Sequence, residues 1–118
     1  MKRDWDLLRQ LLVFIEQLES HVLGDAALLR SREAGYNLKL LQDGGFIEAQ
    51  SVEPLGEATQ YLSIELTWSG QELLELIRPD RLWIEICQVI EQKELPKSLS
   101  VIRQVAERQI QGRLSGGA

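Results

Sequence analysis

The sequence has few of the residues from which most active sites are built. Its 118 residues include 1 cysteine and 1 histidine. Cys87 therefore has no partner for an internal disulfide, and His21 cannot build a histidine-based metal site. With His21 as its only imidazole partner, Cys87 reads as a buried, inert thiol on an apolar helical stripe. No apolar run approaches the roughly 18 residues of a membrane span. Lys2 and Arg3 lead straight into Asp4 and Asp6 with no small-residue cleavage site, so no signal peptide is expected. Cations are outnumbered, with Lys+Arg 13 against Asp+Glu 18 and a formal net charge of -5. That balance excludes a generally basic nucleic-acid coat protein and leaves room for a local basic face. Gly44-Gly45 is no phosphate loop, because no Lys-Ser/Thr follows it and a strand comes next. Glu72 and Glu75, one helical turn apart, read as solvent charges. These absences lead us to expect a small, cytoplasmic, non-enzymatic protein with no cofactor and no metal.

Hydrophobic residues make up 44% and charged residues 26%, the composition of a globular domain able to bury a core. Trp5, Leu8, Leu12 and Ile15 share one stripe of a helix expected from about Lys2 to Ser20, widened by Leu7, Leu11, Phe14 and Leu18. Gly24 interrupts, and Asp25 caps a short second helix through Ala26–Leu29 to about Arg30. Ser31 or a neighbour starts a third helix, continued by Glu33 to Gln42, that Gly44-Gly45 ends. Ala34, Leu38 and Leu41 lie on its inner side. The period then changes to two. Ile47, Ala49 and Ser51 form one alternating run. Leu62, Ile64 and Leu66 form another, with Tyr61, Ser63 and Glu65 facing the opposite way. A Pro/Gly loop at Glu53–Glu57 joins them into an antiparallel hairpin. Thr67 caps a helix from Trp68 to about Arg78 with Leu73, Leu74 and Ile77 inside, and Asp80 caps the next, with Trp83, Ile86, Cys87 and Ile90 on one stripe. Ser98 caps the last, with Leu99, Ile102, Val105, Ala106 and Ile110 on one face, before a frayed Leu114–Ala118 tail. Trp5, Trp68 and Trp83 read as core anchors rather than a stacking platform. The fold class expected is mainly α with a small β-hairpin: a winged helix-turn-helix over residues 1–78, followed by a two-helix extension over residues 79–118.

Two local signatures carry a resemblance. Leu41-Gln42-Asp43-Gly44-Gly45-Phe46-Ile47 is similar to the L-x-x-x-G-[apolar]-I that closes the recognition helix and opens the wing in many bacterial winged-helix regulators. Leu66-Thr67-Trp68-Ser69-Gly70-Gln71-Glu72-Leu73-Leu74 is similar to the L-T-x-x-G-x-x-L-L that follows the wing. Thr67 would cap the helix, and Gly70 would let a neighbouring backbone approach closely. A wider resemblance covers most of the chain. Met1-Lys2-Arg3-Asp4-Trp5-Asp6-Leu7-Leu8-Arg9, Tyr36-Asn37-Leu38-Lys39-Leu40-Leu41 and the Thr67-Trp68 segment, with Trp83 beyond them, match in order a family of short bacterial proteins common in phages and prophages. That family carries a domain-of-unknown-function label, so the resemblance implies a winged-helix-like fold and a mobile-element context. Asn37 and Gln71 stand where the family usually has histidine, which argues against imidazole chemistry.

Opposite the inner side of the third helix stand Arg32, Tyr36, Lys39 and Asp43. In a winged helix such a stripe enters the major groove, so Arg32, Tyr36 and Lys39 are the candidate DNA-reading residues, supported by Lys2, Arg3 and Arg9. The alternative is a solvated face. The wing argues against strong DNA binding. From Phe46 to Leu66 there is no Lys or Arg, while Glu48, Glu53, Glu57 and Glu65 are present. Affinity for a phosphate backbone comes mostly from counterion release by cations. Residues 51–78 hold 1 basic and 5 acidic groups, and residues 79–118 hold 6 and 5. The first expectation is a transcription-regulator-like binder of double-stranded DNA. The alternative is a protein-interaction module that meets its partner through the acidic wing, such as a phage modulator of a host protein. A homodimer is expected through Leu99, Ile102, Val105, Ala106 and Ile110, with closure of both last helices over one monomeric core as the alternative.

Overall fold

The computed structural model describes residues 2–18, 31–56 and 59–116. Within them lie five helices and one two-stranded antiparallel sheet: α1 Trp5–Glu16, α2 Arg32–Asp43, β1 Ile47–Val52, β2 Gln60–Leu66, α3 Trp68–Ile77, α4 Asp80–Gln92 and α5 Leu99–Ser115. The expected short helix at Ala26–Arg30, Gly24 and His21 lie outside the described residues. Two compact units divide the chain, Met1–Leu74 and Glu75–Ala118, and the division falls inside α3.

In the first unit, Asp4 is the N-cap of α1, and its carboxylate accepts the Leu7 N–H at 3.1 Å. This leaves Trp5 as the first helical residue, buried with Leu8, Leu11, Leu12 and Ile15 along one broad stripe. Ser31 caps α2 by accepting the Ala34 N–H at 3.0 Å. Ala34, Leu38 and Leu41 on α2 are buried, as are Ile47 and Ile64 in the sheet, so Leu8, Leu12, Leu38, Leu41, Ile47 and Ile64 are all core residues as their spacing suggested. Among the described residues Asn37 is the one buried polar side chain, 1% exposed. Its Oδ1 accepts the Asp4 N–H at 2.9 Å, and its Nδ2 donates to the Glu33 carbonyl at 2.7 Å. One amide side chain thus satisfies itself while tying the first turn of α1 to α2. Asn37 therefore has a structural task.

The exit from α2 is a Schellman turn. Phe46 N–H reaches the Leu41 carbonyl at 2.8 Å, Gly45 N–H reaches Gln42 at 3.0 Å, and Gly45 has φ of 79°. Only glycine takes that left-handed position without strain. In the sheet, Ile47 pairs with Leu66, Ala49 with Ile64 and Gln50 with Ser63, but Ser51 pairs with Tyr61. Leu62 is therefore the extra residue of a β-bulge. It is 50% exposed, against the alternation expected from Leu62, Ile64 and Leu66. Ala49 and Ser51 share a face, so beyond the bulge Tyr61 falls on the face of Ile64, where alternation had put it opposite.

The hairpin root is bolted to α3. Thr67 N–H donates to the Phe46 carbonyl at 3.0 Å, its hydroxyl donates to the Gly45 carbonyl, and that same oxygen accepts the Gly70 N–H at 3.1 Å. A β-carbon on Gly70 would stand 2.0 Å from the Phe46 carbonyl oxygen. The expected roles of Thr67 and Gly70 hold. Trp68, expected in the core, is instead 79% exposed. The buried residues of α3 are Gly70, Leu73, Leu74 and Ile77. At about 100° per residue, Trp68 points roughly 180° from Ile77.

In the second unit, α4 packs on α5. Pro79, not Asp80, is the α4 N-cap, and Asp80 is the first helical residue, where a carboxylate suits the dipole. Leu82, Trp83, Ile86 and Ile90 are buried on α4, and Cys87 is half-buried. Ser98 caps α5, accepting the Val101 N–H at 3.3 Å. Arg113 on α5 donates to Glu85 on α4 at 2.8 Å, and the Lys97 ammonium lies 5.5 Å from the Trp83 ring centre. The stripe expected to form a dimer is changed by this packing. Ile102, Val105 and Ala106 are buried within the single chain, while Leu99 and Ile110 are half-buried. The middle of the stripe is thus buried within the chain and its two ends stay partly open.

Glycine substitutions should separate by position. Gly70→Ala should lower stability by about 1–3 kcal/mol, as backbone must move to admit the methyl group. Gly35→Ala, whose β-carbon meets nothing within 4 Å, should raise it by about 0.5–1 kcal/mol. Urea unfolding of both variants checks the pair. Asn37→Leu should cost about 1–3 kcal/mol through the orphaned Asp4 N–H. Asn37→Asp should set a carboxylate against the Glu33 carbonyl, raising its pKa in the fold. Its stability should then be kept at low pH and lost as pH rises through that raised value, which denaturation across a pH series would read.

Candidate functional site

The outer face of α2 and the hairpin frame an open cleft of about 500 Å³. α2 contributes Arg32, Gly35, Lys39 and Asp43; the hairpin contributes Ser51, Glu53 and Tyr61. Arg32 follows the Ser31 cap, and Lys39 comes two turns later on the same face, so both guanidinium and ammonium are exposed. The bulge at Leu62 is what turns Tyr61 into this cleft. Two of the expected reading residues, Arg32 and Lys39, are thus brought together. Tyr36 is half-buried and does not line the cleft. Neither do Lys2, Arg3 or Arg9. Arg3 stacks over the Trp5 ring at 5.4 Å from its centre, which helps cover that tryptophan. Lys2 is exposed and Arg9 is half-buried on α1.

Charge in the cleft is balanced rather than positive, because Asp43 and Glu53 stand on its walls with Arg32 and Lys39. Tyr61 is pushed above its ordinary value of 10.0, first by burial and then by the Glu53 carboxylate. From sequence Glu53 is only one of the hairpin carboxylates, and Tyr61 does not stand out, since the bulge that pairs it with Ser51 leaves no mark in the alternating pattern.

A second surface surrounds the hairpin. Val52, Leu55 and Leu62 are exposed, Leu55 fully so. Trp68 projects from the first turn of α3, two residues beyond the end of β2. Glu48 and Glu65 stand directly opposite each other across the strands. No cation interrupts residues 46–66. Exposed aromatic and aliphatic groups with carboxylates around them suit a protein surface better than a phosphate backbone. Helical geometry could have flagged Trp68, because it lies opposite Leu73 and Ile77 on the α3 wheel. Among the described residues no group of three or more His, Cys, Asp or Glu is placed to hold a metal ion, and no helix is long and apolar enough to cross a membrane.

Glu53→Gln should lower the Tyr61 pKa toward its ordinary value, read as phenolate absorbance in a spectrophotometric titration. A tyrosine raised in the fold contributes stability fully present below its unfolded value of about 10 and lost as pH rises through the raised value. The wild-type fold should accordingly weaken at alkaline pH, and less so in Glu53→Gln.

A protein of Haemophilus influenzae described as an uncharacterized protein is 40% identical over 114 residues, covering 91% of this chain and 93% of that one. No solved structure matches the chain. The model of the hypothetical-protein family DUF2513 matches residues 2–96, from the cation pair before the α1 cap to the connection beyond α4. The chain belongs to the DUF2513 family.

Proposed function

We propose that the chain is a non-enzymatic binding module of winged-helix type that engages a protein partner through its hairpin and Trp68. One observation carries this: Trp68, 79% exposed, is held at the root of a hairpin that has exposed aliphatic side chains and no cation. Tryptophan is the residue most enriched at interface hot spots. Here it is fixed by a capped helix start rather than by packing, so its exposure does not serve the core. The phage or prophage context implied by the family resemblance fits a small modulator that acts on a host protein.

Duplex DNA is the second reading, favoured by Arg32 and Lys39 standing exposed on one face of α2. Against it are the balanced charge of their cleft and the acidic hairpin beside it, which would repel phosphates.

Two measurements on the full chain separate the readings. Immobilised wild-type protein should retain a discrete partner from bacterial extract at physiological salt. Trp68→Ala should lose that capture at least about tenfold while its melting temperature barely moves, since an exposed side chain contributes within about 0.5 kcal/mol of stability. In a gel-shift titration, duplex DNA should give no salt-sensitive complex. Capture indifferent to Trp68, together with a DNA shift at low salt that Arg32→Ala and Lys39→Ala weaken, would replace the protein-partner reading by the DNA one.

A further inference from the structure

α2 carries a glycine that its packing does not require. Gly70 in α3 is explained by the Phe46 carbonyl against it, and Gly112 lies in the last turn of α5. Gly35 sits inside α2, and among the described residues a β-carbon there would meet nothing within 4 Å. Glycine in a helix interior lowers stability relative to alanine. No contact among the described residues offsets that cost.

Gly35 instead leaves helix backbone uncovered on the wall of the α2 cleft. Arg32 precedes it by three residues and Lys39 follows it by four, so the three share one face. The two cations are separated by about 10 Å along the helix axis, which lets both long side chains converge over the glycine. Both are exposed, and neither has an ion pair among the described residues. Glu53 and Tyr61 stand on the hairpin wall, and Asp43 lies one turn beyond Lys39.

These groups limit what can enter. Arginine and lysine side chains only donate hydrogen bonds, and ionised carboxylates only accept them. A long polyanion is ill suited, since Asp43 and Glu53 would face its further phosphates. A small ligand with one strong anion and several hydroxyl donors satisfies both walls. A phosphomonoester carries about −1.5 to −2 charges at neutral pH, a better match for two cations than a carboxylate. The cleft volume of about 500 Å³ is in the range of small-molecule sites.

We propose that the α2 cleft binds a small hydroxylated phosphomonoester of the sugar-phosphate class, its phosphate lying over Gly35 between Arg32 and Lys39 and its hydroxyls donating to Glu53 and Asp43. Gly35 is the positioning element, because only a residue without a side chain lets the phosphate approach the helix between the two cations. The site is separate from the Trp68 surface and does not rest on the protein-partner reading.

A chemical-shift titration of the full chain at physiological salt tests the site, with ribose 5-phosphate, inorganic phosphate and ribose as probes. Ribose 5-phosphate should bind with a Kd of about 1 mM or tighter and shift the Arg32, Gly35 and Lys39 amides. Inorganic phosphate should bind about tenfold more weakly, for want of the hydroxyl contacts to carboxylates, and ribose should not bind. Arg32→Ala and Lys39→Ala should each weaken binding of ribose 5-phosphate about tenfold. Glu53→Ala should shrink the preference for ribose 5-phosphate over inorganic phosphate. The decisive arm is Gly35. Gly35→Leu should abolish binding without lowering the melting temperature, and Gly35→Ala should melt higher yet bind more weakly, a split that a merely structural glycine would not show. No shift with ribose 5-phosphate up to about 10 mM, equal affinity for inorganic phosphate, or binding indifferent to Gly35→Leu would each overturn the proposal. A duplex DNA complex abolished by Gly35→Leu, with ribose 5-phosphate silent, would also overturn it and give the cleft to the DNA reading.

Discussion

The close approach of the Phe46 carbonyl to Gly70 is the constraint on which the first unit depends. A β-carbon there would stand 2.0 Å from the carbonyl oxygen, so no other residue fits without moving the backbone. Because the gap is closed, Thr67 reaches the Gly45 and Phe46 carbonyls while capping α3 through Gly70. The Schellman turn that ends α2 uses the same short stretch, with Phe46 N–H on Leu41. Three elements therefore meet at Gly45–Phe46: the end of α2, the start of β1 and the start of α3. With the root fixed on both sides, the base of the hairpin and the start of α3 keep a defined relation.

Charge is sorted along the chain in the same spirit. The hairpin stretch has no cation, the α2 cleft is balanced, and a groove between α4 and α5 is lined by Lys93 and Arg108 with no carboxylate. Summed over the chain these give a modest net charge of -5, which hides the contrast. Electrostatics of this kind chooses partners and orientations more than it adds affinity.

Much of the fold was legible in the sequence because its local chemistry agrees at several levels. Ser31 and Ser98 before helical stripes, Gly44-Gly45 after one, and Thr67 before Gly70 each have a single cheap geometry, and the structure uses it. The core positions Leu8, Leu12, Leu38, Leu41, Ile47 and Ile64 followed from period alone. What period could not carry is the bulge. One extra residue in β2 exposes Leu62 and turns Tyr61 toward α2, and nothing in the alternation marks it. Trp68 departs from expectation for another reason: its place beside an apolar helical stripe suggests burial, while its angular position on α3 opposes Leu73 and Ile77. The apolar face of α5 is real, and α4 packs on α5 with Ile102, Val105 and Ala106 buried, while period alone does not say what covers the rest. Asn37 was noticed only as a missing histidine. Its burial and double hydrogen bond come from the meeting of α1 and α2, which no local pattern encodes.

The central claim is that the hairpin root and the start of α3 form one fixed joint that presents Trp68. Native-state hydrogen exchange measured amide by amide tests it most directly. The Thr67, Gly70 and Phe46 N–H groups should exchange only through the opening that also exposes the Leu38 and Leu41 amides of the core, with matching opening free energies. If Thr67 and Gly70 instead exchange as freely as the hairpin turn at Leu55, while the α2 amides stay protected, the joint is not fixed and the account fails.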